Sequence, residues 1–384
     1  MQLMNRNMTI TFFSNFLLHH QTPFCEAMVR HIGEGFRFVA TEPVPAERLQ
    51  MGYKNFEDEP YAVNAHKDDA SYQEALRLGR ESDVVILGAA PYTFIEERLQ
   101  KNKLTFRYSE RLFKKFYWHF HPLELLERYQ KDTRYRGKNF YMLCASAYTA
   151  PDCRYVFAYP HKTYKWGYFP PITTESYESL SALKSADKIR IIWVSRFIPL
   201  KHPEEIVALA KQLKNDNFSF EIEMLGIGEL REEYENIVRN EGLDDVIRFT
   251  GPFSPEEVLE HMKRSDVFLF TSDKNEGWGA VMNEAMSCAC APVACREIGS
   301  VPYLIKHGEN GLVYDKRGKN SLYHNVKILL ENNNNIRQTI QKNACQTMAE
   351  VWNADTAAER LLTLIDCLQE GRETPYTYGP CSRD

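Results

Sequence analysis

Residues 271–284, TSDKNEGWGAVMNE, set two carboxylates, Glu276 and Glu284, on either side of a Gly-Trp-Gly turn. Gly277 and Gly279 leave out Cβ atoms where the backbone bends, which lets a ligand lie against the main chain. An apolar, strand-like run precedes the turn at 267–270, and a helix-like run follows it at 280–288. The free amides of a first helical turn, with the positive end of its dipole, favour an anion. A carboxylate beside them accepts hydrogen bonds from sugar hydroxyls. The two preferences together fit a nucleotide sugar. A plain strand-to-helix junction with ordinary surface charges is the competing explanation, and the turn by itself does not decide between them.

Two further groups sit at similar junctions. Arg196 and Lys201 lie five residues apart, directly after the apolar run 189–194. A planar guanidinium and a compact ammonium so placed suit a diphosphate clamp, although two solvated cations would look the same. Gly226-Ile227-Gly228 follows another apolar run. The dinucleotide fingerprint needs a third glycine, and residue 231 is Arg, so a tight strand-to-helix turn is the expectation there.

In chain order, Arg196-x4-Lys201, Gly226-x-Gly228 and Glu276-x7-Glu284 are followed by Pro292-Val293-Ala294, the loop 297–300 and His307-Gly-Glu-Asn-Gly-Leu312. This succession resembles the C-terminal half of the retaining glycosyltransferases of family four, glycosyl transferases group 1. The resemblance implies the GT-B fold: α/β, with two Rossmann-like, doubly wound parallel-sheet domains facing a cleft. It also implies transfer of a sugar from a nucleotide diphosphate donor to a hydroxyl of a carbohydrate or glycolipid acceptor, with retention, in bacterial-type surface polysaccharide or glycolipid assembly. Arg196 and Lys201 would hold the diphosphate, Glu276 the hydroxyls of the transferred sugar, and Glu284 the ribose. Amides of Gly277, Trp278, Gly279, Ala280 and Val281 would face sugar or phosphate. Gly226, Gly228, Phe249 and Gly251 would border the nucleotide. No metal and no other cofactor is obligatory in this scheme.

The first half departs from the family pattern. Its first turn, NFLLHHQTPF, has no glycine, and FRYSER at 106–111 stands where relatives carry a histidine. His19, His20, Glu110 and Arg111 are the candidates there, and the acceptor side stays open. A nucleotide-sugar epimerase of the same fold is the nearest rival. A dinucleotide-dependent oxidoreductase lacks its complete glycine turn here, and a two-carboxylate glycoside hydrolase would leave the Arg/Lys clamp without a purpose.

The elements that must position these residues read as alternating strands and helices. Runs at 8–13, 36–40, 83–87, 105–108 and 139–145, mostly continuous rather than alternating, suit strands covered on both faces, and 189–194, 218–225, 246–249 and 267–270 also read as strands. Helical patterns at 22–31, 70–80, 203–213, 229–239 and 255–263 fall between them, and three more close the chain near 320–331, 333–350 and 354–369. The aromatic segment 162–171 ends in two prolines, so no regular element continues through it. A polar linker near 172–188 divides an acceptor-side domain, 1–175, from a donor domain, 176–370, and 371–384 reads as a surface tail.

With 384 residues, 43% hydrophobic and 26% charged, the chain can bury two cores of ordinary size. A net charge of −5 argues against general nucleic-acid binding. Locally, residues 101–138 hold eleven Lys/Arg against four Asp/Glu. That imbalance, with Trp118 nearby, predicts a peripheral contact with an anionic membrane surface. Nine scattered cysteines without C-x-x-C spacing, and no run of about 18 apolar residues, predict a reduced, cytoplasmic protein.

Overall fold

The computed structural model describes residues 8–50, 54–114, 123, 126, 129–130, 133–184, 187–316, 321–331 and 334–384. It divides into two compact units, Met1–Pro171 with Trp352–Asp384, and Ile172–Val351. Each is built on one parallel sheet.

The first unit has strands β1 (Ile10–Ser14), β2 (Phe36–Ala40), β3 (Ala62–Asn64), β4 (Val84–Leu87), β5 (Thr105–Ser109), β6 (Phe140–Cys144) and β7 (Thr163–Lys165), in the order β3-β2-β1-β4-β5-β6-β7. Phe12 pairs with Phe38 on one side and Ile86 on the other. Strands β1 and β4 are fully buried, which explains the unbroken apolar sequence of β4 and the apolar Ile10, Phe12 and Phe13 of β1. Each large apolar side chain so enclosed contributes about 1.5–3 kcal/mol. One cation joins this core. Arg98 is fully buried and donates to Thr105 Oγ1 and to the carbonyls of Gly79, Ser82, Asp83 and Leu104 at 2.8–3.2 Å. Desolvation pushes its pKa down to about 10, and the five acceptors tie the ends of one helix and two strands together.

The second unit has β8 (Ile189–Val194), β9 (Phe220–Leu225), β10 (Ile247–Thr250), β11 (Val267–Phe270), β12 (Ala291–Cys295) and β13 (Leu312–Tyr314), in the order β10-β9-β8-β11-β12-β13. Chain direction across the sheet reverses beside β1 in the first unit and beside β8 in the second. Such switch points open a crevice at the carboxyl ends of the strands.

Within 162–171, β7 pairs through Met142↔Thr163 and ends before the prolines, so no element continues through the segment. Two expectations change. The last helix, Ala354–Gln369, belongs to the first unit, where it packs on Thr22–Ile32 through a stripe that includes Ala357, Ala358, Leu361 and Ile365. The final residues are not a free surface tail. Cys381 and Ser382 are fully buried, Cys381 N donates to Lys165 O at 2.8 Å, and Lys165 N donates to Ser382 O at 2.8 Å. The tail thus caps the open edge of β7, an edge that would otherwise present unpaired backbone groups. Leu112 is buried and Phe113 half-buried, while residues 115–120, with Trp118 among them, lie outside those described.

All nine cysteines are buried and free. Among the described residues no helix is long and apolar enough to cross a membrane.

Candidate functional site

In the second unit, the ladder between β8 and β9 continues into the loops that follow. Ser195 N donates to Leu225 O at 3.0 Å and Phe197 N to Ile227 O at 2.8 Å. Strand alternation then turns successive side chains to opposite faces. Phe197 is fully buried, its ring 4.9 Å from Trp193 and 5.7 Å from Phe249, and Arg196 next to it is exposed. Among the described residues the Arg196 guanidinium has no hydrogen-bond or ion-pair partner.

The two glycines are required by this arrangement. Gly226 and Gly228 have φ of +147° and +150°, and a Cβ on Gly226 would stand 1.9 Å from Ser195 O. A Cβ on Gly228 would stand 2.4 Å from Phe197 O. The Gly-x-Gly turn is therefore pressed against the backbone that carries Arg196. The missing third glycine also has an explanation. Arg231 folds back to donate to Gly226 O at 2.6 Å, Gly251 O at 3.1 Å and Thr250 O at 3.2 Å. Its Nε meets Glu235 Oε1 at 2.8 Å. Arg231 thus joins the carboxyl ends of β9 and β10, bringing Phe249 and Gly251 up to the same turn. Sequence reading saw only an absent glycine there.

Lys201 ends a single helical turn, Pro199–Lys201, and its Nζ forms an ion pair with Glu276 Oε2. Both side chains are only 13–14% exposed, so the pair is well screened from water. Thr271 fixes the base of the loop, donating to Lys201 O at 2.6 Å and accepting from Trp193 Nε1 at 2.9 Å. His202 adds a bridge that sequence reading missed. It sits at φ +51°, with Nδ1 2.6 Å from Glu204 Oε1 and Nε2 3.3 Å from Asp273 Oδ2. The hydrogen bond to Glu204 raises its pKa above the ordinary histidine value. Only its place beside Lys201 could have flagged it.

The turn after β11 is closed by Asp273, which takes Asn275 N on its side chain at 2.8 Å and Glu276 N on its carbonyl at 3.0 Å. Gly279 has φ +78°, and a Cβ there would meet the Phe270 ring at 2.2 Å. Trp278 is fully buried and donates to Asn283 Oδ1 at 2.9 Å, so its indole is a core peg and no platform for a ligand. Inside the turn, Met282 N bonds Gly279 O and Asn283 N bonds Ala280 O. Among the described residues the amides of Gly279, Ala280 and Val281 have no protein acceptor. The helix behind them, Val281–Ser287, has only seven residues. The individual amides, more than a macrodipole, are what this turn offers an anion.

Glu284 lies on the first turn of that helix and is half-buried. No hydrogen bond or ion pair reaches its carboxylate among the described residues. Protein packed closely around it pushes its pKa from 4.5 up to about 7. The structure therefore gathers Arg196, Lys201, Glu276, Glu284 and both glycines of the turn at one edge of one sheet.

The first-unit candidates separate. His20, Glu110 and Arg111 line a cavity of about 730 Å3 that also reaches Ser14, Gly88 and Arg107. His19 does not line it, but stacks edge-on to His20 at 5.3 Å. Burial, with His19 and Arg48 nearby, pushes the His20 pKa down to about 3. Glu110 accepts from Tyr168 Oη at 2.8 Å and pairs with Lys114.

Residues 178–347 match the model of the family described as glycosyl transferases group 1. An uncharacterized glycosyltransferase of Methanocaldococcus jannaschii is 29% identical over 40% of this chain and 41% of its own length. A GDP-mannose-dependent alpha-(1-6)-phosphatidylinositol monomannoside mannosyltransferase of Mycobacterium tuberculosis is 24% identical over 51% of this chain and 52% of its own. The chain thus spans about half, or less, of the curated relatives it matches. Among solved structures, Anabaena HepE in complex with UDP and glucose superimposes with a TM-score of 0.64 at 12% identity, covering 94% of this chain and 100% of that one. At that identity the likeness is one of fold, and the fold is GT-B.

Proposed function

We propose that this chain, whose residues 178–347 are those of a group 1 glycosyl transferase, moves a sugar from a nucleotide diphosphate donor to an acceptor hydroxyl with retention at the anomeric carbon. The observation that carries the reading is the meeting of three loops at one sheet edge: exposed Arg196, the Lys201–Glu276 pair and the glycine turn. In this reading Arg196 and Lys201 hold the diphosphate and stabilise charge on the departing nucleotide. The free amides of Gly279 to Val281 share that charge. Glu276 accepts hydroxyls of the transferred sugar while keeping Lys201 aimed, and Glu284 takes the ribose. Phe249, Gly251 and the glycine turn border the base. None of these groups is placed as a nucleophile, which favours attack by the acceptor oxygen on the face the diphosphate leaves, its proton passing to the departing phosphate oxygen. No metal enters this scheme.

Isothermal titration with UDP and GDP, followed by donor turnover, tests the assignment. Arg196→Ala and Lys201→Ala should each weaken nucleotide diphosphate binding by about tenfold or more. Glu276→Gln should leave that affinity within about threefold and remove most turnover. Wild-type turnover in all three variants would sink the assignment.

The acceptor side of the proposal is a carbohydrate or glycolipid in surface polysaccharide or glycolipid assembly, with the enzyme at the inner face of a membrane. The basic excess of 101–138 supports this, as do Leu123, Leu126 and Tyr129, which are 75%, 50% and 42% exposed at helical spacing. Liposome flotation should recover the protein with phosphatidylglycerol vesicles and not with phosphatidylcholine. Equal absence from both would remove the membrane contact.

A further inference from the structure

The first unit's cavity lies at the carboxyl ends of β1, β4 and β5, beside that sheet's switch point. At about 730 Å3 it has the size of a small-ligand site. Four cations line it, Arg48, Arg107, Arg111 and Lys114, against two carboxylates, Glu42 and Glu110. Glu110 is already engaged by Lys114 and the Tyr168 hydroxyl. Arg111 lies over the Tyr148 ring at 5.0 Å, with Nε 3.8 Å from Asp152. Arg107 lies over the Tyr92 ring at 5.8 Å. An aromatic face fixes the plane of a guanidinium without cancelling its charge. Arg48 stands close enough to His20 to help hold that imidazole neutral, so His20 brings hydrogen bonding and no charge. The side chains that line the cavity carry an excess of positive charge, which favours an anionic ligand over a neutral one.

We infer that this cavity takes an acceptor that carries an anionic oxygen group, phosphate or carboxylate, alongside the hydroxyl to be glycosylated, a reading that rests on the transferase function proposed above. Arg48 and Arg107 grip the anion, and the tyrosine rings flank the sugar. The shared chemistry admits a soluble sugar phosphate or uronate as well as a lipid headgroup.

The test uses the full chain with saturating UDP, so that the donor site is filled. Glucose 6-phosphate, glucuronate and methyl glucoside are titrated at low and high salt, and vesicles of phosphatidylglycerol or phosphatidylcholine form a second arm. The anionic ligands, or the phosphatidylglycerol vesicles, should bind at least about tenfold more tightly than their neutral counterparts, with the difference shrinking as salt rises. Arg107→Gln and Arg48→Gln should each lower that affinity about tenfold, and Arg107→Lys should recover part of it, with UDP affinity and melting temperature unchanged. Arginine-dependent binding of the soluble compounds alone identifies a soluble acceptor, and of the vesicles alone a lipid one. Equal binding of methyl glucoside, or indifference to both substitutions, overturns the inference while UDP binding leaves the transferase reading intact. Failure to bind UDP or GDP at all sinks the transferase reading itself.

Discussion

The two units share a parallel sheet and a switch-point crevice, yet they build their sites from different materials. The second unit builds with backbone. Gly226, Gly228 and Gly279 bring main chain to within van der Waals contact of main chain or ring, and free amides line the turn. The first unit builds with side chains. Its cavity is shaped by Arg48, by Arg107 and Glu110 at the end of β5, and by Tyr168 after β7, three stretches of chain that meet only in space. Backbone sites need glycine at fixed spacing, and so they leave a motif in the sequence. A side-chain site can be re-made with other residues from other loops, and it leaves none. Ligand specificity that must vary is better placed in the second kind of site.

The sharpest way to break this comparison is to put a Cβ into the backbone-built site. Gly226→Ala would place that atom 1.9 Å from Ser195 O, at a φ of +147° that alanine avoids. The Arg196 loop must then retreat. The expected cost is about 4 kcal/mol, with UDP affinity reduced by about a hundredfold or lost. Gly242→Ala is the control, since Gly242 has φ +64° but nothing within 4 Å of a Cβ. It should cost about 1 kcal/mol and leave UDP binding alone. Urea denaturation followed by intrinsic fluorescence, together with calorimetric UDP titration, reads both. If the two variants behave alike, close backbone approach is not what the turn requires.

What the sequence disclosed follows the same division. Strands 189–194, 267–270 and 36–40 fall where their apolar runs place them, because a strand largely enclosed on both faces has few polar positions to blur its limits, Arg190 and Arg37 being the exceptions. The short strands β3 and β7 escaped notice. Both are outermost in the strand order of the first sheet and only three residues long, too short to show a run or an alternation. The last helix read correctly as a helix but was assigned to the wrong unit, since its apolar stripe does not say which partner it meets. Arg98 and Arg231 were invisible for a related reason. An arginine that gathers carbonyls from two distant stretches of chain looks, in sequence, like any surface arginine.

Two groups whose charged forms are disfavoured by burial, one in each unit, give the comparison a finer edge. Glu284 has its pKa raised from 4.5 to about 7, and His20 has its pKa lowered from 6.5 to about 3. A folded state that holds its carboxyl proton more tightly than the unfolded chain loses stability as pH rises between the two values. The Glu284 penalty is therefore absent below about pH 4.5 and complete above about pH 7. His20 works the other way, costing stability as pH falls from 6.5 toward 3. Acid should weaken the first unit, and neutral to alkaline pH should burden the second. Glu284→Gln removes the second burden alone. Because Glu284 is half-buried, water screens part of the effect, and about 1–2 kcal/mol is expected at pH 8. Thermal melts should show the variant above wild type at pH 8 and level with it at pH 4. In the proposed donor site the same substitution removes the charged acceptor assigned to the ribose, so UDP should bind about tenfold more weakly even as the protein becomes more stable. A variant no more stable than wild type at pH 8 would mean that Glu284 is better solvated than its surroundings imply. Unchanged UDP affinity would remove it from the donor site. Gain of stability with loss of affinity is the signature of a carboxylate kept in an unfavourable place for the sake of a ligand.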